Sequence, residues 1–319
     1  MACVSPRISF LGRKYGYPNW IIERFSKILG SELVDFLESC ERRLPKSLRV
    51  NTLKADAGKV SELLTAKGFK LEPINWVNSG FWVTSSPFPI GATREYLLGY
   101  YFIQTSASML PPIVLDPKPH EVVLDMCAAP GGKTSHISQL LNNQGVVIAI
   151  EVNPNRAFSL KNNLARCGVH NSIILNIDAN AYPKLNCRVD KILLDAPCSG
   201  EGLIRQLPER KTSRKMEDII FCSRGQKSLI SAAAESLKEG GSLVYSTCSL
   251  APEENEEVVD YLLKNFPMRV VPINIIGEPG LTEFEGRRYD RSLAYARRIY
   301  PHKYDSIGFF VCKMVREAA

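Results

Sequence analysis

The sequence predicts an α/β fold: a mostly parallel sheet covered on both faces, preceded by a small α+β unit. Three observations predict it. Beyond residue 120, short apolar runs alternate with helical patterns, the order that builds a parallel sheet between two helix layers. Ile192-Leu193-Leu194 and Leu243-Val244-Tyr245 are apolar at successive positions, as in strands buried on both faces. Asp116-Pro117-Lys118-Pro119 halts regular structure and divides the chain into 1–115 and 116–319. A chain of 319 residues has room for two domains of ordinary size.

The elements follow in order. Trp20, Ile21, Phe25, Ile28 and Leu29 form one apolar stripe, and Leu33, Val34, Phe36 and Leu37 form the next. Residues 18–41 therefore read as two short helices parted by Gly30. Residues 47–52 read as a strand. Asp56 is placed to cap a helix carrying Val60, Leu63 and Leu64, which Gly68 closes. Further strands are expected at 69–74 and 81–83. In the second part, strands are expected at 121–126, 145–151, 172–178, 189–195, 241–247 and 306–315. Helices are expected at 133–142, 154–167, 218–238 and 252–265. There is no internal repeat and no low-complexity segment.

Composition narrows the class. With 45% hydrophobic and 23% charged residues, the chain is globular. Forty basic against 33 acidic residues give a net charge of +7, which favours a polyanionic partner. Nine cysteines (Cys3, Cys40, Cys127, Cys167, Cys187, Cys198, Cys222, Cys248 and Cys312) are scattered without a CxxC, which argues against a metal site or a disulfide framework. Met1 to Trp20 lacks the apolar centre of a signal peptide. No apolar run approaches the ~20 residues that span a bilayer. A cytoplasmic monomer with reduced thiols and no membrane partner is expected.

The first strand of the second part runs into Cys127-Ala128-Ala129-Pro130-Gly131-Gly132-Lys133-Thr134. Gly132-Lys133-Thr134 imitates a phosphate-binding Walker loop, but the first glycine of that motif would fall at Cys127. GxGxxG is absent too, so a nicotinamide fingerprint is not supported. What remains is a turn of small residues that lets a ligand approach the backbone, ahead of a helix N-terminus suited to a carboxylate. Glu151 ends the next strand, where a carboxylate can accept both hydroxyls of a ribose, and Asp178 ends the third, where it would hold an adenine amine. Such an acidic series fits S-adenosylmethionine (SAM).

Cys198 and Cys248 each follow a strongly apolar run, fifty residues apart. Ligands of open α/β sheets bind beyond the carboxyl ends of the strands. Both thiols would therefore project into one crevice, which points to covalent chemistry. The residues alone do not rank the two.

Cys127–Thr134, Asp195-Ala196-Pro197-Cys198-Ser199-Gly200 and Tyr245-Ser246-Thr247-Cys248-Ser249 resemble the Nop/Sun (Fmu-like) family of RNA cytosine-5 methyltransferases, and within it an archaeal-type tRNA methyltransferase. The likeness extends from Leu48–Lys54, through Gln104–Met109, to Arg298–His302 and Gly308–Val311. It implies a Rossmann-like SAM methyltransferase domain behind a small RNA-recognition-like domain. It implies SAM contacts from Cys127, Ala128, Ala129, Pro130, Gly131, Gly132, Lys133, Glu151, Asp178 and Asp195, with Arg156 bordering the cofactor. It also implies Cys248 as the nucleophile and Cys198 as the thiol that helps release the product. Glu151 departs from the common aspartate. No PUA-like module is visible, so substrate choice is expected to rest on residues 1–115 and the loops.

The chemistry explains the residue types. Carbon 5 of cytosine is a poor nucleophile until a thiolate adds to carbon 6 and converts the ring to an enamine. The thiolate would need a nearby cation to lower its pKa, and Lys133 is the candidate. Asp195 would supply or orient a donor at nitrogen 3 of the ring. The base must leave any stack to enter such a crevice. For the partner, RNA and most readily tRNA, two basic stretches are candidates. One is Arg205, Arg210, Lys211, Arg214 and Lys215. The other is Arg287, Arg288, Arg291, Arg297, Arg298 and Lys303, interleaved with Tyr289, Tyr295 and Tyr300. Glu253, Glu254, Glu256 and Glu257 are expected to serve the N-terminus of their own helix after Pro252.

Overall fold

The computed structural model describes residues 5–318, and Cys3 and the start of the Met1–Trp20 stretch lie outside them. The chain opens with three helices, α1 (Pro6–Tyr15), α2 (Asn19–Leu29) and α3 (Leu33–Glu41), the last two parted by Gly30 at φ +57°. The sequence reading has no counterpart of α1. Its buried positions Ile8, Leu11 and Tyr15 are diluted by an exposed Phe10 and by Arg7, Arg13 and Lys14. These helices bury Ile22, Phe25, Phe36 and Leu37 in one cluster with Ile204, Leu250 and Tyr300, far along the chain.

A four-stranded antiparallel sheet follows. It is formed by β1 (Lys46–Val50), β2 (Lys70–Pro73), β3 (Gly80–Ser85) and β4 (Tyr101–Ile103), in the order β2-β3-β1-β4. Asp56 caps α4 (Ala57–Thr65) as expected, its Oδ1 accepting the Lys59 amide at 2.8 Å. The strand β4 and the single turn α5 (Arg94–Leu97) are too short for a period to show in sequence. Helix α6 (Leu110–Leu115) then leads to the second sheet and shares a core with its Val123, Val147 and Val244.

The second sheet has nine strands. Five are parallel, in the order β7-β6-β5-β8-β9: β5 (Val122–Asp125), β6 (Val146–Ile150), β7 (Ser172–Leu175), β8 (Val189–Asp195) and β9 (Leu237–Thr247). The connecting helices are α7 (Gly132–Leu140), α8 (Pro154–Arg166) and α9 (Met216–Ser236), and α10 (Glu256–Asn265) follows β9. Next come β10 (Met268–Val270), β11 (Glu278–Pro279), the small hairpin β12 (Glu283–Phe284) and β13 (Arg287–Arg288), β14 (Arg297–Ile299), α11 (Pro301–Tyr304) and β15 (Phe309–Arg316). β15 runs antiparallel to β9, and β14 and β11 extend that edge. The fold is thus the expected α/β sheet of a Rossmann-like SAM methyltransferase, with an antiparallel margin.

Three boundaries differ from expectation. β7 stops at Leu175 because Asp178 caps a 3-10 turn over Ala179–Leu185. β9 starts at Leu237, straight from α9, pairs there with Val189 of β8, and bulges before pairing resumes at Ser242. The helix expected over 252–265 breaks at Asn255 into a 3-10 turn, Pro252–Glu254, and α10. No helix among the described residues is long and apolar enough to cross a membrane. The chain lays down β5, β6 and β7 in one direction and then returns to place β8 and β9 on the other side of β5. That reversal opens a crevice at the carboxyl ends of β5 and β8.

Candidate active site

The loop after β5 is fastened to its own strand. Thr134 Oγ1 donates to Asp125 Oδ2 at 2.7 Å, and burial pushes the Asp125 carboxyl up to about 6. Gly131 adopts φ +104° at the turn into α7, a conformation that favours glycine. Lys133 Nζ meets Asp195 Oδ2 at 2.5 Å and lies over the Phe309 ring. The other Asp195 oxygen accepts the Ser246 hydroxyl at 2.7 Å. Lys133 and Thr134 are the residues a Walker loop would turn toward phosphate and magnesium. Here both bind carboxylates of this chain, so the nucleotide-hydrolase reading finds no support. The expected role of Lys133 also changes: its charge is paired with Asp195, and it is not free to serve a thiol.

A cleft of about 350 Å³ opens beside this loop. It is lined by Cys127, Ala129, Glu151, Arg156, Asp178, Asp195, Cys198 and Cys248 among others, so the structure gathers most of the sequence-predicted site into one place. Glu151 is buried at the end of β6. Its Oε1 accepts the Asn153 amide at 2.9 Å and its Oε2 lies 3.5 Å from Arg156 Nη2, which also donates to the Ala129 carbonyl. Asp178 is exposed at the rim, its Oδ1 accepting the Asn180 amide at 2.9 Å. Ala128, Pro130, Gly132 and Lys133 line a second hollow of about 210 Å³, with Phe102, Gln104, Ser108 and Asp195. Cys127, Ala129 and Asp195 border both spaces.

Strand register brings the thiols together. Asp195 of β8 pairs with Ser246 of β9, so the residues just beyond each strand end are neighbours. The Cys198 and Cys248 sulfurs lie 3.2 Å apart. The contact with Cys248 and burial hold the Cys198 thiol far above its ordinary pKa, and the carboxylates of Glu254 and Asp195 add to this.

The acids after Pro252 stand in first turns, Glu253 and Glu254 in the 3-10 turn and Glu256 and Glu257 in α10, but their carboxylates also reach other elements. Glu253 forms a two-pronged pair with Arg24 of α2, at 2.6 and 3.1 Å. Glu256 is fully buried against Arg298 Nε at 2.6 Å, and Glu257 reaches Lys227 and Arg287. Glu254 turns inward to Ser199 and Ser249. The break at Asn255 aims the four carboxylates in different directions, which helical spacing alone does not suggest.

The basic stretches are also partly internal. Arg205 is buried and binds the carbonyls of Arg42 and Arg43 and the Asp305 carboxylate. Lys211 is held by Glu41 and the Tyr15 carbonyl. Arg214 Nε donates to the Ser199 carbonyl at 2.8 Å. Arg210 lines the cleft, and its buried Nε has no hydrogen-bond partner. In the second stretch Arg298, Tyr289 and Tyr300 are buried, while Arg291 and Tyr295 stay exposed. The serines that follow each cysteine were a signal for Glu254: Cys198-Ser199 and Cys248-Ser249 repeat one dipeptide at the two strand ends.

Known proteins fit this geometry. Residues 112–315 match the family described as 16S rRNA methyltransferase RsmB/F, and residues 17–106 match the N-terminal domain of 16S rRNA methyltransferase RsmF. A 28S rRNA (cytosine-C(5))-methyltransferase of Mus musculus is 44% identical over 95% of this chain and 39% of its own length. A tRNA (cytosine(49)-C(5))-methyltransferase of Pyrococcus abyssi is 40% identical over 92% of this chain and 94% of its own length. A methyltransferase homologue from Pyrococcus horikoshii superposes with a TM-score of 0.90 at 42% identity, covering 98% of this chain and 99% of that one. The chain spans only 38% to 51% of the four longer ribosomal RNA relatives. By these matches over most of its length, the chain belongs to the RsmB/F family of RNA methyltransferases, whose methyl donor is SAM.

Proposed function

We propose that this chain transfers a methyl group from SAM to carbon 5 of a cytosine in tRNA, through a covalent bond between Cys248 and carbon 6 that is released with help from Cys198. The observation that carries this reading is the pair of sulfurs 3.2 Å apart on the cleft that Glu151, Asp178 and the Cys127–Ala129 loop also line. These residues fit SAM. Glu151 presents a carboxylate for ribose hydroxyls, and the N-terminus of α7 faces the loop. A methyl group added at Gly225, on the α9 wall of the cleft, would meet no atom within 4 Å, so room is left there for a ligand. When bound, SAM supplies an electrophilic methyl group.

The chain's own residues do the rest. Cys248 adds to carbon 6, and negative charge spreads toward nitrogen 3 and the carbonyl oxygen on carbon 2. Asp195, fixed by Ser246, borders both hollows, and Lys133, paired with it on the smaller one, is placed to donate to that edge. In release a solvent water takes the carbon 5 proton as base, the carbon–hydrogen electron pair forms the carbon 5–carbon 6 double bond, and the carbon 6–sulfur pair leaves with Cys248 as its thiolate. Cys198, held as a thiol against Cys248, can donate its hydrogen bond to the departing sulfur. This chemistry needs both thiols reduced, which suits a cytoplasmic setting.

The Pyrococcus abyssi relative, matched over 94% of its length, supports tRNA. The higher identity of the mouse relative, 44%, favours ribosomal RNA as the second reading. The test is transfer of labelled methyl to unmodified tRNA and to ribosomal RNA by wild type, Cys248→Ala and Cys198→Ala, each also run on a denaturing gel. Loss of transfer in Cys248→Ala, with a slow-migrating RNA adduct in Cys198→Ala, is expected. An adduct formed by Cys248→Ala would reverse the two roles, and labelling of ribosomal RNA alone would exchange the substrate.

A further inference from the structure

Glu254 is fully buried, yet both its oxygens are occupied without a salt bridge. Oε2 accepts the Ser199 amide at 2.9 Å and Gln226 Nε2 at 2.9 Å. Oε1 accepts the Ser249 hydroxyl at 2.7 Å and the Ser199 hydroxyl. A carboxyl that receives four donors acts here purely as an acceptor. The partners matter more than their number. Ser199 follows Cys198, Ser249 follows Cys248, and Gln226 stands on α9, where it also donates to the Pro197 carbonyl at 2.8 Å. The two serine hydroxyls lie 3.3 Å from each other. Glu254 is anchored in turn, since Tyr245 of β9 donates to its carbonyl at 2.6 Å. Next to it, Asn255 accepts from Thr247 at 2.6 Å and donates to the Ser249 carbonyl at 3.0 Å.

A buried carboxylate is costly unless its hydrogen bonds are complete, so this arrangement is rigid once formed. We infer that Glu254 is a positioning residue: by binding the serine after each cysteine, it locks the two thiol-bearing loops together and sets the sulfur-to-sulfur contact. Its charge adds a second effect. It stands beside Cys198 and helps keep that thiol protonated, as do Cys248 and Asp195. The other charged or titratable groups around Glu254 are Glu201, Cys222, Tyr245 and Arg214, the last bound to the Ser199 carbonyl.

The kinetic arm of the test rests on the proposed methyl transfer, and the second arm does not. Purified wild type, Glu254→Gln and Ser249→Ala are treated with diamide. The two thiols give up their hydrogens to the diamide nitrogen–nitrogen double bond as one sulfur–sulfur bond forms. Peptide mapping follows the Cys198–Cys248 pair, with Cys198→Ser as the blank. Wild type should pair quickly. Glu254→Gln, which loses acceptor positions, should pair about tenfold more slowly or worse even though losing the charge eases ionisation of Cys198, and Ser249→Ala should fall between. In methyl transfer, the maximal rate of Glu254→Gln should drop about 100-fold, while KM for RNA and SAM stays within about twofold. Slow pairing in the variants, beside a wild type that pairs quickly but transfers no methyl, would sink the function and leave the clamp standing. Unchanged pairing and an unchanged maximal rate in both variants would overturn the clamp, as would a wild type that fails to pair. If Glu254→Gln does not fold, Ser249→Ala, which keeps three of the four bonds, decides alone.

Discussion

Glu201 is a carboxyl with little water around it. It is 5% exposed in the turn after Gly200, and burial pushes it up to about 7, with Arg24 pulling the other way and Glu254 and Glu253 adding to the rise. In sequence, Gly200-Glu201-Gly202 looks like a solvated loop acid, because nothing local marks it as covered by other elements. Below the unfolded value near 4.5, both folded and unfolded chains hold the proton, and the group has no effect on stability. As pH rises, the unfolded chain ionises first and binds fewer protons, so stability falls until the folded group ionises near 7. The full cost is about 3 kcal/mol. Glu201→Gln should match wild type near pH 4.5 and exceed it at pH 8 by up to about 3 kcal/mol, read from urea midpoints at both values. A gap that does not change with pH would show that the Glu201 proton does not set it.

At the scale of elements, the site depends on a seam between three of them. The Gly202 amide donates to the Cys248 carbonyl at 2.9 Å, and its carbonyl accepts the Gly308 amide at 2.8 Å. One residue thus joins the loop after β8, the end of β9 and the approach to β15. A side chain there would meet the Gly308 carbonyl oxygen at 2.2 Å and that of Cys248 at 2.7 Å, both backbone atoms that cannot rotate away. Gly202→Ala should cost about 1–3 kcal/mol and depress methyl transfer more than the loss of folded protein explains. Thermal melting and transfer rates measured on the same preparation decide this. The strands that form the seam were legible, because apolar runs and their breakers are local signals. The glycine's role was not, since it is set by a close approach of backbone segments more than forty residues apart.

For the whole molecule, the surplus of 40 basic over 33 acidic residues suits an RNA partner, but location decides which cations are available. Ion pairs and carbonyl contacts within the chain consume Arg205, Arg298 and Lys211, whereas Arg210 lines the cleft with an unpartnered Nε. Arg210→Glu should weaken RNA binding and reduce the slope of log affinity against log salt by about 1. Lys211→Glu, which breaks a contact to Glu41 beside α3, should lower the melting temperature and leave that slope near wild type. Titrations at several salt concentrations separate the two, and equal slopes for both variants would return Lys211 to the binding surface.

The sequence by itself determined the α/β architecture, the small-residue loop from Cys127 to Gly132, the strand-end acids and the two strand-end thiols. These follow from period, turn chemistry and residue type within about fifteen positions. Tertiary structure alone decided the partners. It paired Lys133 with Asp195 rather than with a thiol, turned the acids after Pro252 toward partners on separate elements, and buried Arg205 and Arg298 of the two basic stretches. It also brought Cys198 to Cys248, because β8 and β9 lie side by side in one register. A carboxylate and its donor meet only through sheet order and packing, which no local pattern of charge encodes.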